Sequence, residues 1–171
     1  KMDGSMISVL NLPGLGWKAM TRMGITDVSK QVDNYINDYY NSNKLRDFLE
    51  ETRYYNRTAI FEWCSPSNRI VINYIEPKLV LTAIRDNITG EYDTYTSLQY
   101  YATLYELDIV LPALQYSDYK KDTIKLNNII STELKGIEGV VVRFDDGHMV
   151  KIKSIDYVNA DVTLFPIKNY M

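Results

Sequence analysis

The chain of 171 residues contains one cysteine, Cys64, and one histidine, His148. A single cysteine excludes an intramolecular disulfide framework and a multi-cysteine zinc site. A single histidine leaves Ser-His-Asp, Cys-His and multi-histidine metal schemes resting on one residue. Proline is scarce at 5 residues. No Pro/Ser-rich linker, low-complexity tract or internal repeat breaks the chain, so it reads as one domain. No stretch approaches the run of about 18 apolar residues needed to span a membrane. The start at Lys1 has no initiator methionine before it and lacks the apolar core and small-residue cleavage site of a signal peptide. These absences suggest an excised, cytoplasmic piece of a longer protein with no membrane partner. Cys64 is expected to be a small buried hydrophobe. His148 is expected on a strand, outside the chemistry.

Cations are also in deficit, with 19 Lys+Arg against 22 Asp+Glu and a formal charge of −3. Taken over the whole chain, that balance argues against nucleic-acid binding, which needs clustered cations. The deficit is local, however. From Asp86 to Asp118 the only charged residues are acids (Asp86, Glu91, Asp93, Glu106, Asp108, Asp118), so the segment carries −6 and the remainder +3. Net charge governs encounter and non-specific binding, not what a cleft can hold.

The pattern of what is present predicts an α+β domain built on antiparallel sheets with flanking helices. Residues 5–11 read as a strand closed by the turn Pro13-Gly14-Leu15-Gly16, with a second strand over Trp17–Arg22. Val28, Val32, Ile36 and Tyr39 step by three and four, predicting a helix from Thr26 to Tyr40. Asn43 is expected to cap a second helix whose inner face carries Leu45, Phe48 and Leu49. Strands follow over 58–63, 69–74 and 78–85, and the turn Asn87-Ile88-Thr89-Gly90 leads into a short fourth. Helices are predicted over 96–106 and 123–134. A hairpin closes the pattern, with strands Gly139–Phe144 and His148–Ser154 joined at Asp145-Asp146-Gly147.

Four short patterns could carry chemistry. Lys1-Met2-Asp3-Gly4-Ser5 places a lysine beside a glycine that allows close backbone approach. As a nucleophile, that lysine's pKa of roughly 10.4 must fall by about 2–3 through desolvation or a nearby cation. Read alone it is equally a surface lysine at a turn. In Phe61-Glu62-Trp63-Cys64, alternation points Glu62 opposite to its apolar neighbours, towards solvent or a polar cleft. In Glu138-Gly139-Val140-Val141-Val142-Arg143 a carboxylate stands at the mouth of a strand, where it is either a turn acid or one ligand of Mg²⁺ shared with substrate phosphates. In Val150-Lys151-Ile152-Lys153-Ser154 both ammonium groups share one strand face, which suits a polyanion or a solvated, lysine-protected edge. The predicted hairpin joins the last two patterns.

Taken in order, Lys-x-Asp-Gly at Lys1–Gly4, Glu-Gly at Glu138–Gly139 and Lys-x-Lys at Lys151–Lys153 resemble motifs I, IV and V of the covalent nucleotidyltransferases. That superfamily includes ATP-dependent DNA and RNA ligases and mRNA capping enzymes. Ser5 favours an RNA ligase. The runs Phe61–Val71 and Arg85–Tyr92 are similar to the RNA ligase 1 type of T-even phages, which repairs cleaved tRNA anticodon loops, and the likeness extends from Lys1 to Tyr157.

The resemblance implies a nucleotidyltransferase adenylation domain. Its core would be residues 1–171, starting at the nucleophilic lysine, with an upstream part and a C-terminal specificity domain lying outside. It implies that Lys1 attacks the α-phosphate of ATP to form lysyl-AMP and release pyrophosphate. The AMP then passes to an RNA 5′-phosphate, and a 3′-hydroxyl end attacks to seal the strand. Glu62 falls on the motif III glutamate at the ribose, Glu138 on the motif IV glutamate at Mg²⁺, Lys151 and Lys153 on the phosphate-contacting pair, and Tyr157 on a functional tyrosine after it. Asp3, Gly4 and Ser5 complete the nucleotide-binding set. A basic residue after motif I falls on Lys18 or Arg22, with Arg22 favoured. The implied partner is RNA, as in nicked tRNA, handled by a monomer in the cytoplasm of a host cell if the gene is phage-borne. The alternatives are a DNA ligase, a capping guanylyltransferase relative or an inactive nucleotide-binding domain.

Two features are set aside. Pro13–Gly16 lacks the Gly-Lys-Ser/Thr of a P-loop. The pairs Tyr39-Tyr40, Tyr54-Tyr55 and Tyr100-Tyr101 lack an adjacent basic stripe and are expected to be partly buried helix residues rather than a stacking platform.

Overall fold

The computed structural model describes residues 2–39, 42–68, 74–112, 139–144 and 147–153. Residues 69–73 of the strand expected over 69–74, the helix over 123–134, and Lys1, Glu138 and Tyr157 lie outside the described residues, and Tyr74 itself is not in a strand.

Strand β1 (Ser5–Leu12) turns through Pro13–Leu15 into β2 (Gly16–Met20), where Leu15 N–H donates to Leu12 O at 3.1 Å. Gly14 at φ 77° and Gly16 at φ 70° hold left-handed conformations that a side chain would strain. Strands β3 (Arg57–Cys64) and β4 (Lys78–Asp86) complete an antiparallel sheet of order β2-β1-β3-β4. The strand expected to reach Arg22 stops at Met20, because Thr21 and Gly24 pair with each other in a tight turn that carries Arg22. The short strand expected after Gly90 is a single bridge between Arg85 and Tyr92. Asp86 Oδ1 organises the turn between them by accepting from Ile88 N and Thr89 N.

Period-two alternation sends Ile7, Val9, Ala19, Ala59, Phe61, Trp63, Leu79 and Leu81 to one face, all buried. Helices α1 (Asp27–Tyr39) and α2 (Ser42–Tyr54) cover that face through Val32, Leu45, Phe48 and Leu49. Phe48 meets Phe61 edge-on at 6.4 Å, and Trp63 meets Tyr35 at 5.0 Å. Each such fully buried side chain contributes about 1.5–3 kcal/mol. Thr26 caps α1 reciprocally: its N–H donates to Ser29 Oγ at 2.9 Å, and Ser29 N–H donates to Thr26 Oγ1 at 3.3 Å. Asn43 does not cap α2; it lies inside the helix, which already begins at Ser42. Helix α3 (Tyr95–Tyr105) starts at the Thr94 cap and packs Leu98 and Tyr101 into the same core. No helix among the described residues is long and apolar enough to cross a membrane.

On the opposite face, Val80 and Ala83 are buried as well. The pairing of β3 with β4 slips at Ile60/Phe61, so Thr82 has no partner in the register. Strands β5 (Gly139–Arg143) and β6 (Met149–Lys153) form the predicted hairpin, and Arg143 Nη2 donates to the carbonyl of that same Thr82. The bulge therefore supplies the docking point between hairpin and main sheet. His148 precedes β6 rather than lying in it, and its carbonyl accepts from Phe144 N at 2.9 Å.

Candidate active site

Motif I leads directly into β1, and the register of β1 against β3 places the second motif beside it. Ser5 pairs with Trp63, and Met6 with Glu62. Glu62 and Met6 thus stand side by side on the face away from the helices, with Ser8, Leu10, Ile60 and Val80 along the same surface. Lys18, paired with Leu10, belongs to this face and reaches Asp33 at 3.6 Å. Asp33 Oδ1 also accepts from Ala19 N at 2.8 Å, closing the free edge of β2. Arg22 is exposed in the turn beyond β2.

The segment between Lys1 and β1 is tightly built. Asp3 is fully buried, and its backbone N–H donates to Tyr74 Oη at 2.9 Å. Burial raises the Tyr74 phenol above its ordinary pKa, and neighbouring Cys64 raises it further. Cys64 is fully buried, as expected. A Cβ at Gly4 would lie 2.2 Å from the Trp63 carbonyl oxygen, so only glycine lets the strand start this close to β3. Ser5 Oγ accepts from Asn68 Nδ2 at 2.9 Å, and the same amide reaches Trp63 O at 3.3 Å.

Lys151 and Lys153 are exposed on β6. Their partners across the hairpin are Val141 and Gly139, and Arg143 pairs with Met149. Alternation therefore puts both lysines on the hairpin face whose Arg143 reaches Thr82 of the main sheet. Burial lowers the pKa of the Arg143 guanidinium. Gly139 is held at φ 150°, and a Cβ there would fall 2.0 Å from Ile152 O.

A carboxylate, two ammonium groups and an apolar strand surface suit a nucleotide's ribose hydroxyls, phosphates and base respectively. Among the described residues no cluster of three or more Cys, His, Asp or Glu could hold a metal ion. Two depressions, of about 540 and 430 Å³, lie at the C-terminal end of α2 and between β1, β2, α1 and α2. Neither includes Glu62 or the hairpin lysines.

Sequence reasoning missed Asn68, Tyr74 and Arg143. Asn68 lies inside the run Phe61–Val71 and Arg143 at the end of the pattern that begins at Glu138, but neither residue's type or spacing distinguishes it there. The tyrosines divide otherwise than expected: Tyr101 is buried, whereas Tyr54 is 83% exposed and Tyr55 and Tyr100 are also exposed. The Arg57 guanidinium sits 5.9 Å over the Tyr55 ring and pairs with Asp93 at 3.1 Å.

The fold is that of known ligases. The chain is similar to an archaeal ATP-dependent RNA ligase with a TM-score of 0.72 at 16% identity, over 96% of this chain and 44% of that one. It is similar to a Naegleria gruberi RNA ligase mutant solved with ATP and Mn, and to the same ligase with PPi, each at a TM-score of 0.68 and 18% identity over 94% of this chain and 49% of theirs. The chain thus spans about half the length of these solved proteins. A family model described as RNA ligase matches residues 1–157, which include all the motif residues. The chain belongs to the RNA ligase family of nucleotidyltransferases, of the RNA ligase 1 type.

Proposed function

We propose that this chain is the adenylyltransferase core of an ATP-dependent RNA ligase that joins 5′-phosphate and 3′-hydroxyl RNA ends. The observation that carries this reading is the RNA ligase family match over residues 1–157, which spans every motif residue. Beside it, Glu62 and Met6, on the strand entered from motif I, pair on one face of the main sheet, and Arg143 ties the hairpin that bears Lys151 and Lys153 to Thr82 of β4. Lys1 Nζ attacks the α-phosphorus of ATP, the bond to the bridging oxygen breaks, and pyrophosphate leaves. The two β6 ammonium groups stabilise charge on the phosphoryl oxygens in flight. Glu62 accepts from the ribose hydroxyls. Glu138 would hold a divalent cation such as Mg²⁺, which would supply further charge neutralisation on the phosphates. Tyr157 and a basic residue at Lys18 or Arg22 complete the set. Similarity to ligases solved with ATP, Mn and PPi supports the nucleotide and the metal.

By its likeness to the T-even phage enzymes, the substrate is a nicked tRNA anticodon loop in a phage-infected cytoplasm, handled by a monomer. The test is incubation of the intact protein with α-labelled ATP or GTP and Mg²⁺. Acid-labile covalent label from ATP, lost in Lys1→Ala and Glu138→Ala, is the expected result. Label from GTP instead points to cap-type guanylyl transfer and overturns the reading. So does undiminished labelling of Lys1→Ala.

A further inference from the structure

Neither Asn68 nor Tyr74 belongs to the four chemical motifs, yet both hold the segment that follows Lys1. Tyr74 Oη takes the only backbone N–H of Asp3, a residue with no exposure. Asn68 Nδ2 spends its two hydrogens on Ser5 Oγ and Trp63 O. Asn68 is itself held in place. Its N–H donates to Ser65 Oγ at 3.1 Å, Ser65 and Ser67 hydroxyls meet at 3.0 Å, and Ser67 Oγ donates to Gln31 Oε1 on α1 at 3.1 Å. A relay of hydrogen bonds therefore runs from helix α1 to Ser5. Between the two holding points Gly4 has no free space on its Trp63 side. Lys1 is two peptide units from Asp3, and two units span about 7 Å at most.

We infer that Tyr74 and Asn68 are positioning residues for the Lys1 amine, acting by pinning Asp3–Ser5 against the end of β3. The inference rests on the proposed role of Lys1. The two side chains act through the backbone and not on the reacting atoms. Their loss removes one hydrogen bond from the Asp3 N–H and one from the Ser5 hydroxyl and so loosens the segment that leads back to Lys1. A displacement of about 1 Å at a reacting group costs up to about 100-fold in rate.

The test is single-turnover labelling of the intact protein by α-labelled ATP, comparing wild type with Tyr74→Phe and Asn68→Ala. Tyr74→Phe removes one oxygen and keeps the ring, so it is the less disruptive variant. The expected result is a labelling rate constant at saturating ATP lowered about tenfold or more, with full final amplitude and half-saturating ATP unchanged. A purely structural role lowers the amplitude, as the fraction of folded protein, at an unchanged rate constant, and that outcome overturns the inference. So does raised half-saturating ATP at an unchanged limiting rate, which marks a binding role. In both cases wild-type labelling leaves the proposed function standing. Wild-type protein that takes no label removes that function and the inference with it.

Discussion

Met6 of β1 and Glu62 of β3 are direct partners in the antiparallel register, and both face away from the helical core. The pairing sets the motif I strand beside the proposed ribose carboxylate, so the spacing between the two is set by sheet geometry. Glu62→Ala is therefore expected to spare the fold and weaken the nucleotide contact. A charge-assisted hydrogen bond of about 1.5–3 kcal/mol corresponds to a loss of about 10- to 100-fold in kcat/KM for adenylylation. Wild-type kcat/KM in this variant would remove Glu62 from the site.

Lys151 and Lys153 are exposed, so truncating either one costs the folded state little. Lys151→Ala and Lys153→Ala should each change unfolding stability by no more than about 0.5 kcal/mol. Each should nevertheless lower labelling by ATP about tenfold or more, since the lost charge acts on the phosphates in transit. Paired urea melts and labelling rates check both halves. Labelling at full rate in both variants would reduce the pair to a solvated strand face.

Gly4→Ala tests the close contact between β1 and β3. The new methyl would be placed 2.2 Å from a backbone carbonyl that cannot rotate away. Overpacking of this kind costs about 1–3 kcal/mol, which should appear as a lower urea midpoint at unchanged slope. An unchanged midpoint would mean that the strand start can shift without penalty.

Alkaline pH should report on α2–α3 packing. Tyr105 donates to the Glu51 carboxylate, and that bond, followed by burial, raises its pKa to about 12 from 10.0. The raised value means that the folded state keeps the phenol proton longer than the unfolded chain does. The contact is fully stabilising below the ordinary value and is lost as pH rises through about 12. Urea midpoints of wild type and Tyr105→Phe should therefore differ most near neutral pH and converge towards pH 12. A constant gap across that range would contradict the Tyr105–Glu51 contact.

Local chemistry made much of this molecule legible in its sequence. Alternation located β1, β3, β4 and the β5–β6 hairpin, and helical spacing located α1 with Val32 facing inward. The candidate motif residues were picked out by type, order and their resemblance to nucleotidyltransferase motifs, because phosphoryl transfer needs cations and carboxylates in defined company. Boundaries were less legible. A turn closed by its own Thr21–Gly24 pairing ended β2 before Arg22, and no propensity for extended structure predicts that closure.

Tertiary structure alone decided what each face meets. Alternation says that Lys151, Lys153 and Arg143 share a side. It cannot say that a bulge 61 residues away offers Arg143 the Thr82 carbonyl and so ties the hairpin to the sheet. Nor can it say that Tyr74 accepts an N–H from Asp3 across 71 residues, or that Asn68 holds Ser5 across 63. These contacts join chain segments far apart, and they form only once sheet register and helix packing have brought those segments within hydrogen-bond reach. The sequence by itself determined the inventory of chemical groups and the local elements that carry them, while strand register and packing determined which groups share a surface.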